Sequence, residues 1–149
     1  MKVIIFVFGI CMFALSPLNC LAQAKSGVPQ SIISTKASIR VFNDDKSLKK
    51  MSKNELIELY IERMKVIVRI LPKMGLATKP GVTMADLGIP NTSDNKKALE
   101  SNREITQKYI DSTVDYLRKM LPFCDKDELI ATILFYEQTL KSLKEIEVE

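Results

Sequence analysis

Three pairs of carboxylates at helical spacing are the residues of this sequence whose types and positions could support catalysis. The pairs are Glu58 with Glu62, Glu100 with Glu104, and Asp111 with Asp115. Two acids can hydrolyse a glycosidic bond when their environments separate their pKa values, so that one stays protonated and the other ionised. Most of these acids fall on the polar sides of predicted helices, where water would leave both pKa values unshifted. We interpret them as solvated surface groups and keep a carboxylate-dependent hydrolase only as a third functional alternative.

Other catalytic chemistry is restricted by composition. The sequence has no histidine, which removes imidazole acid/base catalysis, Ser-His and Cys-His pairs and the common zinc sites. It also has no glycine-rich phosphate loop. Cys124 lies outside the amino-terminal segment and is interpreted either as a buried thiol or as a partner in an intermolecular disulfide. We therefore predict a non-enzymatic protein with no catalytic residue, no cofactor, no metal site and no small-molecule ligand.

The first 24 residues are typical of a secretory signal peptide. Lys2 precedes an apolar run over 3–15, and small residues surround Ala24. Cleavage after Ala24 is the main prediction, and lipid attachment at Cys20 is the alternative. The sequence thus predicts export to the periplasm or the extracellular space, with 25–149 as one helical domain formed by an arm over 25–45 and a bundle over 46–149.

Charge is distributed unevenly along the predicted mature chain. Residues 25–82 hold 12 basic and 5 acidic residues, whereas residues 83–149 hold 9 basic and 13 acidic residues. The simplest interpretation is mutual attraction between the two halves of one domain. No cluster of lysine and arginine is interleaved with aromatic residues, so we do not predict a nucleic-acid partner.

Apolar periodicity predicts an all-α fold, namely a three-helix bundle with helices at about 47–71, 94–121 and 125–146. Ser52 and Glu55 match a capping box, and Pro72 and Pro122 mark the ends of the first two helices. The second helix is given one wide apolar face: Ala98, Leu99, Ile105, Tyr109, Ile110, Val114, Tyr116, Leu117, Met120 and Leu121. The short connection that follows it predicts that the second and third helices are antiparallel neighbours. In the third helix, Glu137 and Lys141 are expected to pair on the outer surface.

Two segments fall outside these helices. Residues 25–45 form a polar and then partly alternating stretch, which predicts an extended arm lying on the helices. Residues 72–94 are rich in glycine and proline and predict a long loop, with one helical turn ending at Gly88. We leave open whether this loop covers the first helix, binds a partner or is disordered.

The first helix has more apolar surface than a small bundle needs from one helix. Beside its main face, Leu59, Val66 and Ile70 form a second ridge that Arg63 interrupts. We predict these four residues as a protein-binding surface, on the condition that neither the arm nor the loop covers them.

The leading hypothesis is an exported helical protein that binds another macromolecule in the cell envelope, as an inhibitor, immunity factor or adaptor, or that associates with itself. A membrane-surface protein is the second alternative, because the apolar first helix also has a set of flanking cations: Lys49, Lys50, Lys53, Lys65, Arg69 and Lys73.

Overall fold

The computed structural model describes residues 30–145. The predicted signal peptide, its cleavage at Ala24 and the alternative at Cys20 lie outside the described residues. So does the first part of the predicted arm.

The described residues are mostly helical, which confirms the all-α class. The helices are α1 (Asp45–Lys50), α2 (Lys53–Ile70), α3 (Ser93–Met120) and α4 (Lys126–Glu145). The range 47–71 contains two helices rather than one, because the chain is extended at Met51 and Ser52, and the predicted helix start at the Ser52 capping box is confirmed. Each has its own capping box, Asp44 with Ser47 for α1 and Ser52 with Glu55 for α2.

Both α2 and α3 end near their proline as predicted, but the residue before each proline keeps a helical conformation. α2 and α3 end one residue before the predicted boundary, and each continues into a short 3₁₀ turn, over Leu71–Lys73 and Leu121–Phe123. Proline occupies the second position of each turn, where its missing N–H costs no helical hydrogen bond. A third 3₁₀ turn over Ala85–Leu87 ends at Gly88, whose φ of 67° is the left-handed conformation that glycine adopts easily.

α2 lies at the centre of the fold. It packs most closely against α4 and also against α3, whereas α3 and α4 hardly approach each other through their backbones within residues 30–145. These backbone contacts do not confirm that α3 and α4 are close neighbours, although side chains of both helices belong to one core. α2 is apolar on more than one side, so both of the other long helices can bury their apolar residues against it.

The arm and the long loop pair with each other. Ser31 and Thr83 form an isolated antiparallel bridge, the Ile32 N–H donates to the Val82 carbonyl at 2.7 Å, and the Gly81 N–H donates to the Ile33 carbonyl at 3.0 Å. These bonds satisfy backbone groups that would otherwise be buried without partners. The loop is therefore an ordered cover rather than an open connection.

Two apolar cores result from this arrangement. The first core joins all four helices: Leu48, Leu56, Ile57, Ile61, Met64, Ile110, Val114, Leu121, Leu129, Ile130 and Ile133. The second core joins the arm, the loop and the carboxyl halves of α2 and α4: Ile32, Ile33, Ala37, Ile39, Val66, Ile70, Ala77, Met84, Leu140 and Leu143. Among the described residues, no helix has the combination of length and apolar character that a membrane crossing requires.

Candidate functional site

The predicted ridge on α2 is largely covered by the chain itself. Val66 and Ile70 are only 5% and 6% exposed, and both belong to the second core beneath the arm and the loop. Leu59 is half-buried and packs against the first core. The condition attached to this surface is therefore not met, and the apolar surplus of α2 is explained by its central position.

What remains open beside the ridge is a groove of about 530 Å³ along α2. Leu59 lines it together with Glu55, Glu58, Glu62 and Lys65. With three acids and one lysine, the rim of this groove is acidic, which disfavours an anionic partner at this place.

Arg63 was placed in the predicted binding surface, but it is 2% exposed and forms a buried ion pair. Its Nε lies 3.0 Å from Glu137 Oε1, and its Nη2 donates to the Val41 carbonyl at 2.7 Å. Its Nη1 also reaches Glu62 at 3.2 Å, at the edge of the site. Arg63 thus connects α2 to α4 and to the arm, and it is not available to a partner.

Glu137 was predicted on the outer surface with Lys141, and this prediction was wrong. Glu137 is 1% exposed, and its Oε1 accepts from Arg63 and from both the backbone N–H and the side-chain amide of Asn43, at 3.2 and 3.3 Å. Its Oε2 is buried with no hydrogen-bond donor within residues 30–145. Glu137 thus occupies a position on the buried side of α4 that an apolar residue would usually fill. The sequence signal for it was Arg63 on the apolar side of α2, because a buried arginine needs a buried acid opposite it.

The arm is held by further contacts at its end. Lys144 donates to the Ile39 carbonyl at 3.2 Å, and its Nζ lies 4.7 Å from the centre of the Phe42 ring. The Lys141 Nζ lies 5.5 Å from the same ring. Two lysines of α4 therefore bind the arm by cation–π contacts instead of pairing with acids of their own helix.

The paired carboxylates do not form an acid/base site. Glu58 forms an exposed ion pair with Arg118 at 3.1 Å, and this hydrogen bond lowers the pKa of Glu58, which is opposite to what a general acid requires. Glu100 accepts from Gln30 at 2.8 Å. Asp111 accepts from the Gln107 amide at 2.7 Å. In the described part of the chain, no group of three or more histidine, cysteine or acidic residues is arranged to hold a metal ion.

The tyrosines divide into two groups. Tyr60 and Tyr136 are partly buried, with their hydroxyls 3.2 Å apart and their ring centres 5.3 Å apart. Burial, followed by this hydrogen bond, raises the pKa of Tyr136. Tyr109 and Tyr116 are 58% and 59% exposed, so their predicted place on a core face was wrong.

These two tyrosines belong to an exposed apolar stripe on α3. Its members are Ile105, Tyr109, Tyr116, Met120 and Phe123, which range from 47% to 86% exposed. Spacings of four, seven and four residues keep the first four on one side of α3, and Phe123 follows them in the 3₁₀ turn after the helix. We call these five residues the α3 stripe.

The α3 stripe was missed because the apolar residues of α3 were assigned to one wide face. In the structure, the residues that pack against α2 and α4 lie on a different side of the helix: Ile110, Val114, Leu117 and Leu121. Helical spacing gives the angle between two residues but does not tell which side a neighbouring helix will occupy.

Cys124 is partly buried and packs against the first core. Comparison with family models, with curated proteins and with solved structures found no match to this chain. The site must therefore be interpreted from its own geometry.

Proposed function

We propose that this chain is an exported, non-enzymatic helical protein that works by binding protein through the α3 stripe, and that the occupant of the stripe is a second copy of the chain. The observation that carries the proposal is the exposure of five large apolar side chains, four along one side of α3 and the fifth in the 3₁₀ turn that follows it. Such a line on an otherwise polar helix surface is typical of a helix–helix interface. Export is supported by the signal-like segment over 1–24.

Side-chain sizes along the stripe favour an antiparallel pair of α3 helices. When two copies are aligned around a twofold axis at the level of positions 110 and 111, large residues of one copy face smaller ones of the other. The facing pairs are Ile105 with Tyr116, Tyr109 with Ser112, and Ala98 with Phe123. The exposed polar residues Asn102 and Lys119 face each other in the same alignment. A stripe that complements itself in this way favours a second copy over an unrelated partner.

Charge on the edge of the stripe agrees with the same alignment. Lys108 and Asp115 are seven residues apart on the solvent side of the stripe, and both are exposed. Around the proposed twofold axis, Lys108 of each copy lies beside Asp115 of the other, so two equivalent attractive ion pairs form. In a parallel pair Lys108 of one copy and Asp115 of the other would lie on opposite sides of the interface, and Lys108 would face the uncharged Thr113, so the ion pairs would not form.

The apolar area is sufficient for a specific but modest interface. From their exposed fractions, the five side chains of the stripe present roughly 600 Å² per copy, given the usual areas of aromatic and aliphatic side chains. Two copies would bury about 1,200 Å², which is the lower limit for stable interfaces. We therefore expect a dimer that dissociates on dilution.

Sedimentation equilibrium of the purified protein over a wide concentration range tests the proposal. We expect a monomer–dimer equilibrium, and we expect Tyr116→Ser to weaken it at least about tenfold because an aromatic residue near the centre of an interface is a typical hot spot. Phe135→Ser is the matched control, because Phe135 is 66% exposed on α4 and lies outside the stripe.

A charge exchange tests the orientation of the pair. Lys108→Asp should weaken the dimer, and Lys108→Asp combined with Asp115→Lys should restore it, because the attractive pairs are then formed with exchanged signs. A protein that stays monomeric at every concentration, or one weakened equally by Phe135→Ser, would overturn the proposal.

A further inference from the structure

A cleft of about 450 Å³ lies between the arm, the carboxyl end of α2 with its 3₁₀ turn, and the middle of α3. Four cations from these three segments line it: Lys36, Arg69, Lys73 and Arg103. Glu104 is the acid at the same cleft, so the formal charge of the lining is +3. The cleft is on a different part of α3 from the centre of the stripe, and nothing in the proposed function uses it.

Two of the four cations, Arg69 and Arg103, are held in place without being neutralised. Arg69 donates to the Lys65 carbonyl at 3.2 Å and to Gln107 Oε1 at 3.0 Å, and Arg103 donates to the Ser31 carbonyl. These acceptors are uncharged. Within residues 30–145, no carboxylate lies within ion-pair distance of any of the four cations.

The positive charges are close enough to affect one another. Burial lowers the pKa of Lys73, and the charges of Arg103 and Arg69 lower it further. A protein that gathers like charges without a counter-charge loses stability through their repulsion, and a bound anion would remove that loss.

We propose that this cleft binds a small oxyanion of the phosphate-ester class with at least two negative charges. Guanidinium groups fixed by neutral acceptors still offer N–H groups in a planar arrangement, which suits phosphate oxygens. The volume lies within the range of small-ligand sites and exceeds what a bare phosphate fills, so an attached organic group has room. A free phosphate ester and the phosphate headgroup of a lipid share this chemistry.

Titration of the purified protein with inorganic phosphate and with pyrophosphate at low ionic strength, followed by nuclear magnetic resonance, tests the proposal. We expect saturable binding, with changes in the chemical shifts of Arg69, Lys73 and Arg103. Pyrophosphate should bind more tightly than phosphate because of its higher charge. Lys73→Gln should weaken binding at least about tenfold, since it removes one charged contact. Because the Lys73 side chain makes no hydrogen bond to the described residues, this variant should fold, and its melting temperature without ligand should equal or exceed that of the wild type.

The control is Lys97→Gln, which removes the same charge from an exposed position of α3 outside the cleft. Absence of saturable binding to both anions, or an equal loss in Lys97→Gln, would overturn the proposal in favour of non-specific attraction. Vesicles of phosphatidylcholine with and without phosphatidic acid distinguish the source. Vesicle binding that requires phosphatidic acid and is lost in Lys73→Gln assigns a lipid headgroup, whereas soluble anion binding without vesicle binding assigns a free ester.

Discussion

At the scale of single residues, the main determinant is the buried pair of Arg63 and Glu137. Glu137 accepts hydrogen bonds from Arg63 and from Asn43 of the arm. Arg63 is satisfied by Glu137, by the Val41 carbonyl and, at the edge of the site, by Glu62. Desolvation offsets much of the attraction in such a pair, but one partner left alone is strongly destabilising.

We therefore expect Glu137→Leu to lower the free energy of unfolding by about 3 kcal/mol, because Arg63 then loses its buried counter-charge and keeps only the exposed Glu62 at the edge of the site. Combining it with Arg63→Met should recover at least half of that loss, since two apolar residues of similar volume suit the site. Urea denaturation measures both variants, and Glu58→Leu in the exposed pair with Arg118 is the control. A double variant as unstable as Glu137→Leu would show that the pair itself stabilises the fold.

A second residue-scale expectation concerns Tyr136 at alkaline pH. Because its pKa in the folded state is raised above the ordinary value of 10.0, its contribution to stability is complete below pH 10 and is lost as the pH rises above it. Tyr136→Phe should destabilise the protein by about 1 kcal/mol at pH 8, through loss of the hydrogen bond to Tyr60, and by less at pH 11. Urea denaturation of the wild type and the variant at both pH values measures the difference in their free energies of unfolding. Lysine titration affects both proteins equally and therefore cancels in that difference.

At the scale of elements, the arm acts as part of the core rather than as a tail. Ile33 is fully buried, although it precedes α1 by more than ten residues. The arm and the loop cover the carboxyl half of α2, and their stability depends on each other because they exchange backbone hydrogen bonds.

Ile33→Ala should therefore open the arm and the loop before the helices. We expect a local loss of about 2 kcal/mol, which is roughly 30-fold in hydrogen exchange, at the Ile32 and Gly81 amides, with little change at Leu56. Hydrogen exchange followed by mass spectrometry measures it. Val41→Ala is the control, because Val41 is 69% exposed in the same arm. Equal loss of protection at Leu56 would mean that the two cores unfold together.

At the scale of the whole molecule, short sequence patterns predicted where helices and turns begin and end. Contacts between distant residues determined which side chains are buried. The capping box at Ser52, the helix ends before Pro72 and Pro122 and the turn at Gly88 depend on a few adjacent residues, and all are observed. The exposed side of α3 and the burial of Glu137 depend on which helices pack together. That information is not contained in the periodicity of any single segment.

The contacts of the arm with α4 also have a consequence for how the chain is made. The bond between Asn43 and Glu137 and the one between Ile39 and Lys144 join residues 94 and 105 positions apart. A chain that emerges from its amino end thus presents Ile32, Ile33 and Ile39 long before α4 exists to help cover them. Until α4 is synthesised, these isoleucines are exposed and can cause misfolding or aggregation of the chain. Once α4 is made, it can cover them.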